Sequence, residues 1–394
     1  MTQERATPPP VPPPPELVRG TLIDGRYRLK DRIGEGGMGA VFTADQVRME
    51  RTVVVKVLKP DLCRDDEQVQ RFKREASLAS KLTHPNSVVT HDFGFAGGVP
   101  YIVMEHLIGA PLCDILHQRR RLPLNEAVHL MTQVCASLNE AHEKGMVHRD
   151  LKPENIFVLS DPSRPNFVKV LDFGIAKLVH DHPDAKSSNL TKGDMIFGTP
   201  QYMAPEQIRG KPVDARIDVY AVGVMLYQCV VGKLPYDSHV VVDILTQHLT
   251  QPLPELTLRD ELDLSDDVVA SFNQLIRRTM AKNPNERISD MPTLISELNA
   301  LNALFTRPFS PLDLPAPAET APAPAAPAAG GGALRRAPLA LLLGAALAAA
   351  AFFTPHLAPG GQGWGLWAQG RWAALTAPAL EGGEGGAQGS AQGG

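Results

Sequence analysis

One run of eight residues, His148-Arg149-Asp150-Leu151-Lys152-Pro153-Glu154-Asn155, limits what this chain can fold into more than any other stretch. Its charged and amide side chains cannot be buried without partners, and Pro153 offers no N–H to a helix or sheet ladder. The run is therefore a loop held between structured elements. Asp150 can accept a proton or orient a hydroxyl, and Lys152 can neutralise charge on a moving group. Asn155 offers an amide oxygen to magnesium, a hard cation that prefers oxygen ligands. After two short strand-like stretches comes Asp172-Phe173-Gly174, whose carboxylate would be a second such ligand. Any one of these residues alone reads as a turn former. The ordered set is too specific for that.

Upstream, Ile33 leads into Gly34-Glu35-Gly36-Gly37-Met38-Gly39-Ala40-Val41, a GxGxxGxV pattern between predicted strands 27–33 and 40–44. Glycine allows a backbone to approach phosphates closely. A tight hairpin would also use glycines. A dinucleotide fingerprint would need them to open a helix, whereas Val41 and Phe42 continue into a strand. Lys56 lies in the valine-rich predicted strand 51–58. It reads either as a solvent-facing edge lysine or as a cation on the α- and β-phosphates of a nucleotide. The second reading needs an acidic partner, and Glu75 on the next predicted helix, 66–82, can serve; Glu67 reads as solvated. Further strands are predicted over 88–93 and 101–104, and helices over 124–144, 219–231 and 267–281.

Composition bounds the rest. With 394 residues, 43% of them hydrophobic, the chain can build one large domain or two ordinary ones. A net charge of −4 argues against a nucleic-acid binder. The four cysteines, Cys63, Cys113, Cys135 and Cys229, are too scattered for a zinc site or disulfide framework and fit a reducing cytosol. Residues 1–20 form a proline-rich arm with no signal peptide, 21–304 a folded domain, and 305–336 a Pro/Ala/Gly linker. An uncharged, alanine-rich run over 337–354 is near the minimum length for a membrane span, followed by a low-complexity tail, 355–394. Arg335-Arg336 precede that run while only Arg371 follows it, which places the folded domain in the cytoplasm as a single-pass membrane protein. The alternative is a soluble cytoplasmic chain.

Together these motifs resemble the eukaryotic-like (Hanks-type) protein kinases, in particular bacterial membrane-anchored serine/threonine kinases, over about residues 22–300. Ala204-Pro205-Glu206, Asp218, Gly223 and Arg287 match that pattern in order and imply scaffold roles. The resemblance implies an α+β, bilobal fold: a small antiparallel-sheet lobe over about 21–104 and a larger, mainly helical lobe over about 105–304. It also implies transfer of the ATP γ-phosphate to serine or threonine hydroxyls of proteins, with Mg2+ or Mn2+. Asp150 and Lys152 would be catalytic, Asn155 and Asp172 metal ligands, and Lys56 with Glu75 the phosphate-holding pair. ATP would lie among Ile33 to Val41, Val54, Met104 as gatekeeper, and the hinge Glu105 to Leu107.

Lys152-Pro153-Glu154 and Gly198-Thr199-Pro200, with Thr199 reaching the catalytic loop, point to serine/threonine over tyrosine substrates. Arg149, directly before the catalytic aspartate, implies activation by phosphorylation within 187–199, with Thr191 the first candidate and Ser187 and Ser188 weaker ones. The polar stretch with His180, Asp181, His182 and Asp184 reads as loop rather than metal site. One departure stands out: the position two before Lys56 is usually alanine, and here it is Val54, which adds bulk to the roof of the pocket. Similar kinases dimerise through the small lobe, so a homodimer is a partner the resemblance allows.

Overall fold

The computed structural model describes residues 17–36, 39–59, 66–173, 199–255, 264–304, and positions 312 and 314. Gly37, Met38, Gly174, Ser187, Ser188, Thr191 and Gly198, the polar stretch 180–184, the arm before Leu17, the run 337–354 and the tail lie outside them. Contacts divide the chain into two units, Met1–Pro322 and Ala323–Gly394, and every described residue belongs to the first.

A single valine-rich strand organises the small lobe. Along β4 (Arg51–Leu58), side chains alternate between the two faces of the sheet. Val53, Val55 and Val57 join one buried cluster with Ile23, Leu29, Phe42 and Val103. Val54 and Leu58 join another, with Phe72, Ala76, Ile102 and Met104. Lys56 shares this second face, so the alternation that builds the core also aims its amine inward. Strands β1 (Leu22–Ile23), β2 (Tyr27–Gly36), β3 (Gly39–Gln46), β5 (Thr90–Ala96) and β6 (Val99–Glu105) complete an antiparallel sheet ordered β1-β2-β3-β4-β6-β5.

Helix α1 (Asp66–Ala79) covers the second face with Phe72, Glu75, Ala76 and Ala79, spaced three and four apart. Asp66 and Glu67 sit in its first turn, where the positive helix end favours carboxylates. The helix ends three residues before the predicted Leu82. Glu140 captures the N–H groups of Thr83 and His84 at 2.9–3.1 Å, which draws the chain into a turn. β5 likewise starts at Thr90 rather than Val88. The Val88 N–H bonds Val170 O at 3.0 Å and that of Val89 bonds the Glu105 carboxylate at 2.8 Å.

In the large lobe, β7 (Gly109–Pro111), β8 (Ile156–Leu159) and β9 (Val168–Val170) form an antiparallel three-stranded sheet. Helices α2 (Leu112–Arg119), α3 (Leu124–Glu143), α4 (Pro205–Ile208), α5 (Arg216–Val231), α6 (Val241–Thr250), α7 (Asp266–Thr279) and α8 (Met291–Asn302) surround one large apolar cluster. Gly145, at φ 73°, follows the end of α3 as the sequence predicts. Helix α5 is buried almost all round. It meets α7 at Gly223, where a Cβ would stand 2.5 Å from Thr279 Oγ1. The packed region runs past residue 304, because Leu312 and Leu314 rest on the same cluster. Among the described residues, no helix is long and apolar enough to cross a membrane.

Candidate active site

The loop 148–155 is tied down by a carboxylate from the first turn of α5. Asp218 accepts the N–H groups of His148 at 2.9 Å and Arg149 at 3.1 Å, and lies 2.8 Å from His142 Nε2. Burial pushes its carboxyl upward, but the His142 hydrogen bond and the charges of His142 and His148 outweigh that and hold it below the usual range. The His148 ring stands 2.8 Å from Leu171 O and packs edge-on against Phe173. The loop is thereby fixed to residues 171–173.

Three predicted residues meet on this loop. Lys152 Nζ lies 3.0 Å from Asp150 Oδ2 and donates to Thr199 Oγ1 at 2.9 Å, so Thr199 does reach the loop. Asn155 Nδ2 donates to the Asp150 carbonyl at 2.7 Å, and the Asn155 carbonyl accepts from Leu171 N at 2.8 Å. With its amide nitrogen engaged, Asn155 retains its side-chain oxygen as a ligand atom.

Across the cleft, Lys56 Nζ meets Asp172 Oδ2 at 2.7 Å. Burial pushes the Asp172 carboxyl up, and the adjacent Lys56 ammonium, with His148 and Lys152, overcomes that and holds it below the ordinary value. Among the described residues, the carboxylate at bonding distance from Lys56 is Asp172. Glu75, the partner expected from sequence, is 3% exposed on α1 and sits 3.3 Å from an Arg74 nitrogen. It lines a cavity of about 20 Å³ with Asp172, Phe173 and Met104, room for a single water.

Above Lys56 lies the glycine hairpin. Gly36 pairs with Gly39, Gly34 with Val41, and Val41 with Lys56. A Cβ on Gly39 would stand 2.0 Å from the carbonyl oxygen of Val57, so only glycine fits this crossing. Ala40 is half-buried, while Ile33 and Glu35 at the hairpin are exposed. On the far wall, Met104 pairs with Val54 and Thr90, and Val54 and Leu107 pack on its cluster.

Sequence reasoning missed Lys169. It is 8% exposed, pairs with the Glu105 carboxylate at 2.7 Å and donates to Ser87 O at 3.0 Å. It joins the strand leading to Asp172 to the segment after Met104. The only available signal was a lysine between two strand valines. Cys113, near Asp114 and Glu154, has its thiol pushed up to about 12, first by burial and then by those carboxylates, which makes it a poor nucleophile.

The segment leading into α4 is anchored by Glu206 and Arg287, with Nη1–Oε1 at 2.7 Å and Nη2–Oε2 at 3.1 Å. The remaining guanidinium donors go to Arg216 O and Ala281 O. Residues 27–300 match the family described as protein kinase domain. The chain belongs to the protein kinase family. It is 45% identical over 287 residues to the serine/threonine-protein kinase pkn3 of Myxococcus xanthus, covering 72% of this chain and 51% of that one. It is 37% identical over 281 residues to PknB of Mycobacterium tuberculosis, covering 70% of this chain and 43% of that one. The match thus spans about half the length of these relatives or less. A crystal structure of the M. tuberculosis PknI kinase domain superposes with a TM-score of 0.56 at 26% identity, covering 73% of this chain and all of that one. The expected bilobal fold is the fold observed.

Proposed function

We propose that this protein is a serine/threonine kinase that transfers the γ-phosphate of ATP to hydroxyls of protein substrates. One observation carries the reading: residues spread over more than a hundred positions are drawn together, Lys56 onto Asp172, Lys152 and Asn155 onto Asp150, and the Leu171 N–H onto Asn155 O, with Lys56 paired to Val41 of the glycine hairpin. The donor set fits magnesium, since Asp172 and Asn155 supply hard oxygens. Among the described residues there is no larger carboxylate, histidine or cysteine cluster of the kind an all-protein metal cage would need. Asp172 and Asn155 would hold magnesium or manganese, which would supply positive charge against the phosphates. Lys56 holds the phosphates, and Asp150 aligns the incoming hydroxyl and accepts its proton. Lys152 offsets charge developing on the transferred group while keeping Thr199 beside the acceptor. Val54, Met104 and the 105–107 backbone receive the adenine.

The same reading includes autophosphorylation at Thr191, Ser187 or Ser188, sensed through Arg149. It also includes a cytoplasmic kinase domain anchored by the uncharged run 337–354 after Arg335-Arg336, and dimerisation through the small lobe. The test is phosphosite mapping of the full chain after incubation with ATP and magnesium, beside Asp150→Asn. Phosphoserine and phosphothreonine, including Thr191, should appear in the wild type only. Equal labelling of the Asp150→Asn chain, or labelling confined to tyrosine, would refute the proposal.

A further inference from the structure

Two leucines in the Pro/Ala/Gly-rich stretch behave unlike linker residues. Leu312 is only 8% exposed and Leu314 packs on the large-lobe cluster. The Leu312 N–H, buried with its side chain, donates to Asn166 Oδ1 at 2.6 Å. A buried backbone donor needs such a partner, and a side-chain acceptor supplies it at one place only. Asn166 is itself 3% exposed and left-handed at φ 58°, a conformation asparagine tolerates better than most residues.

The acceptor is not isolated. Asn166 O accepts from Gln133 Nε2 at 2.8 Å. Gln133 Oε1 takes Asn86 Nδ2 and the Val168 N–H, both at 3.0 Å. Asn86 Nδ2 also donates to Val168 O at 2.7 Å, and Asn86 O accepts the Val170 N–H at 2.7 Å. Both ends of β9 are therefore held by the network that receives Leu312. From β9, Lys169 reaches Glu105 and the chain continues to Asp172.

We propose that Leu312 and Leu314 form a strap docked beside Asn166, and that its seating sets the rigidity of β9, the strand that carries Lys169 and leads to Asp172. The occupant of this surface is the chain's own segment. Seven residues lie between Leu304 and Leu312, eight Cα–Cα steps that span at most about 28 Å, so the path from the end of α8 is short. The strap makes the folded unit longer than the 27–300 family match and ties it to the chain that leads toward residue 337.

The test is hydrogen exchange on the full chain, a readout independent of phosphate transfer. Leu312→Asp removes the apolar anchor. Asn166→Gly removes the acceptor while keeping the left-handed backbone free of strain. Each should speed exchange of the Val168 and Val170 amides about tenfold, the scale of one lost buried hydrogen bond. The double variant should go no further than either single one, and α5 amides should stay as protected as in the wild type. Unchanged exchange in Leu312→Asp, multiplying effects in the double variant, or equal loosening of α5 would overturn the proposal. Protection that grows with protein concentration would assign the surface to a second copy and also overturn it.

Discussion

The Glu206–Arg287 pair allows a quantitative prediction about how the large lobe holds the segment leading into α4. Arg287 has no side-chain exposure and Glu206 has 7%. The guanidinium donates from Nη1 and Nη2 to the carboxylate, and from its three nitrogens to Arg216 O and Ala281 O as well. Arg287→Met leaves a buried carboxylate without its counter-charge, a change that typically costs about 3–5 kcal/mol. At roughly 2–4 °C per kcal/mol for a domain of this size, the melting point should fall by about 10 °C. The double change Glu206→Leu with Arg287→Met removes the orphaned charge and leaves only the two carbonyls to find water. It should therefore be more stable than Arg287→Met alone, by about 2 kcal/mol. Urea unfolding followed by far-ultraviolet circular dichroism gives all four corners of the cycle. A double variant whose loss equals the sum of the single losses would refute the claim that an unpaired buried charge dominates.

Two other outcomes are expected. Val54→Ala should tighten ATP binding by about fivefold or more, the low end of what relief of overpacking gives; titration calorimetry showing equal or weaker binding would dismiss the crowded roof. His248 is buried against Tyr220, its Nδ1 2.7 Å from the hydroxyl, and burial together with the Lys282 charge lowers it from 6.5 to about 4. The unfolded chain then takes up a proton that the folded chain refuses. Stability falls as pH drops from about 6.5 towards 4, by up to about 3 kcal/mol from this one group. His248→Gln should flatten that part of the pH–stability curve, and parallel wild-type and variant curves across it would contradict the assignment.

Much of this molecule was legible because its signals are local. The valine-rich run Arg51–Leu58 reads as a strand carrying Lys56, and Gly145 marks a helix end by its backbone freedom. The ordered polar run 148–155 announces a loop with chemistry. What stayed hidden depends on partners distant in sequence. Asp172 lies 116 residues from Lys56, Lys169 lies 64 from Glu105, and Leu312 lies 146 from Asn166. No periodicity encodes such pairings. The same holds for the early end of α1: the helical pattern continues to Leu82, but Glu140, on another helix, claims the next N–H groups. Leu312 and Leu314 were invisible for a related reason, since two leucines amid prolines and alanines carry no period.

Arg149 and Asp172 both sit in the left-handed region, at φ 70° and 60°. Aspartate visits that region readily, whereas for arginine it commonly costs about 1–3 kcal/mol. Glycine would occupy position 149 without strain. A screen that rewards heat tolerance alone should therefore enrich Arg149→Gly, and the sturdier proteins it returns would have lost the guanidinium that the proposed function assigns to sensing a phosphorylated loop. Under that proposal, toughness and responsiveness compete for a single codon.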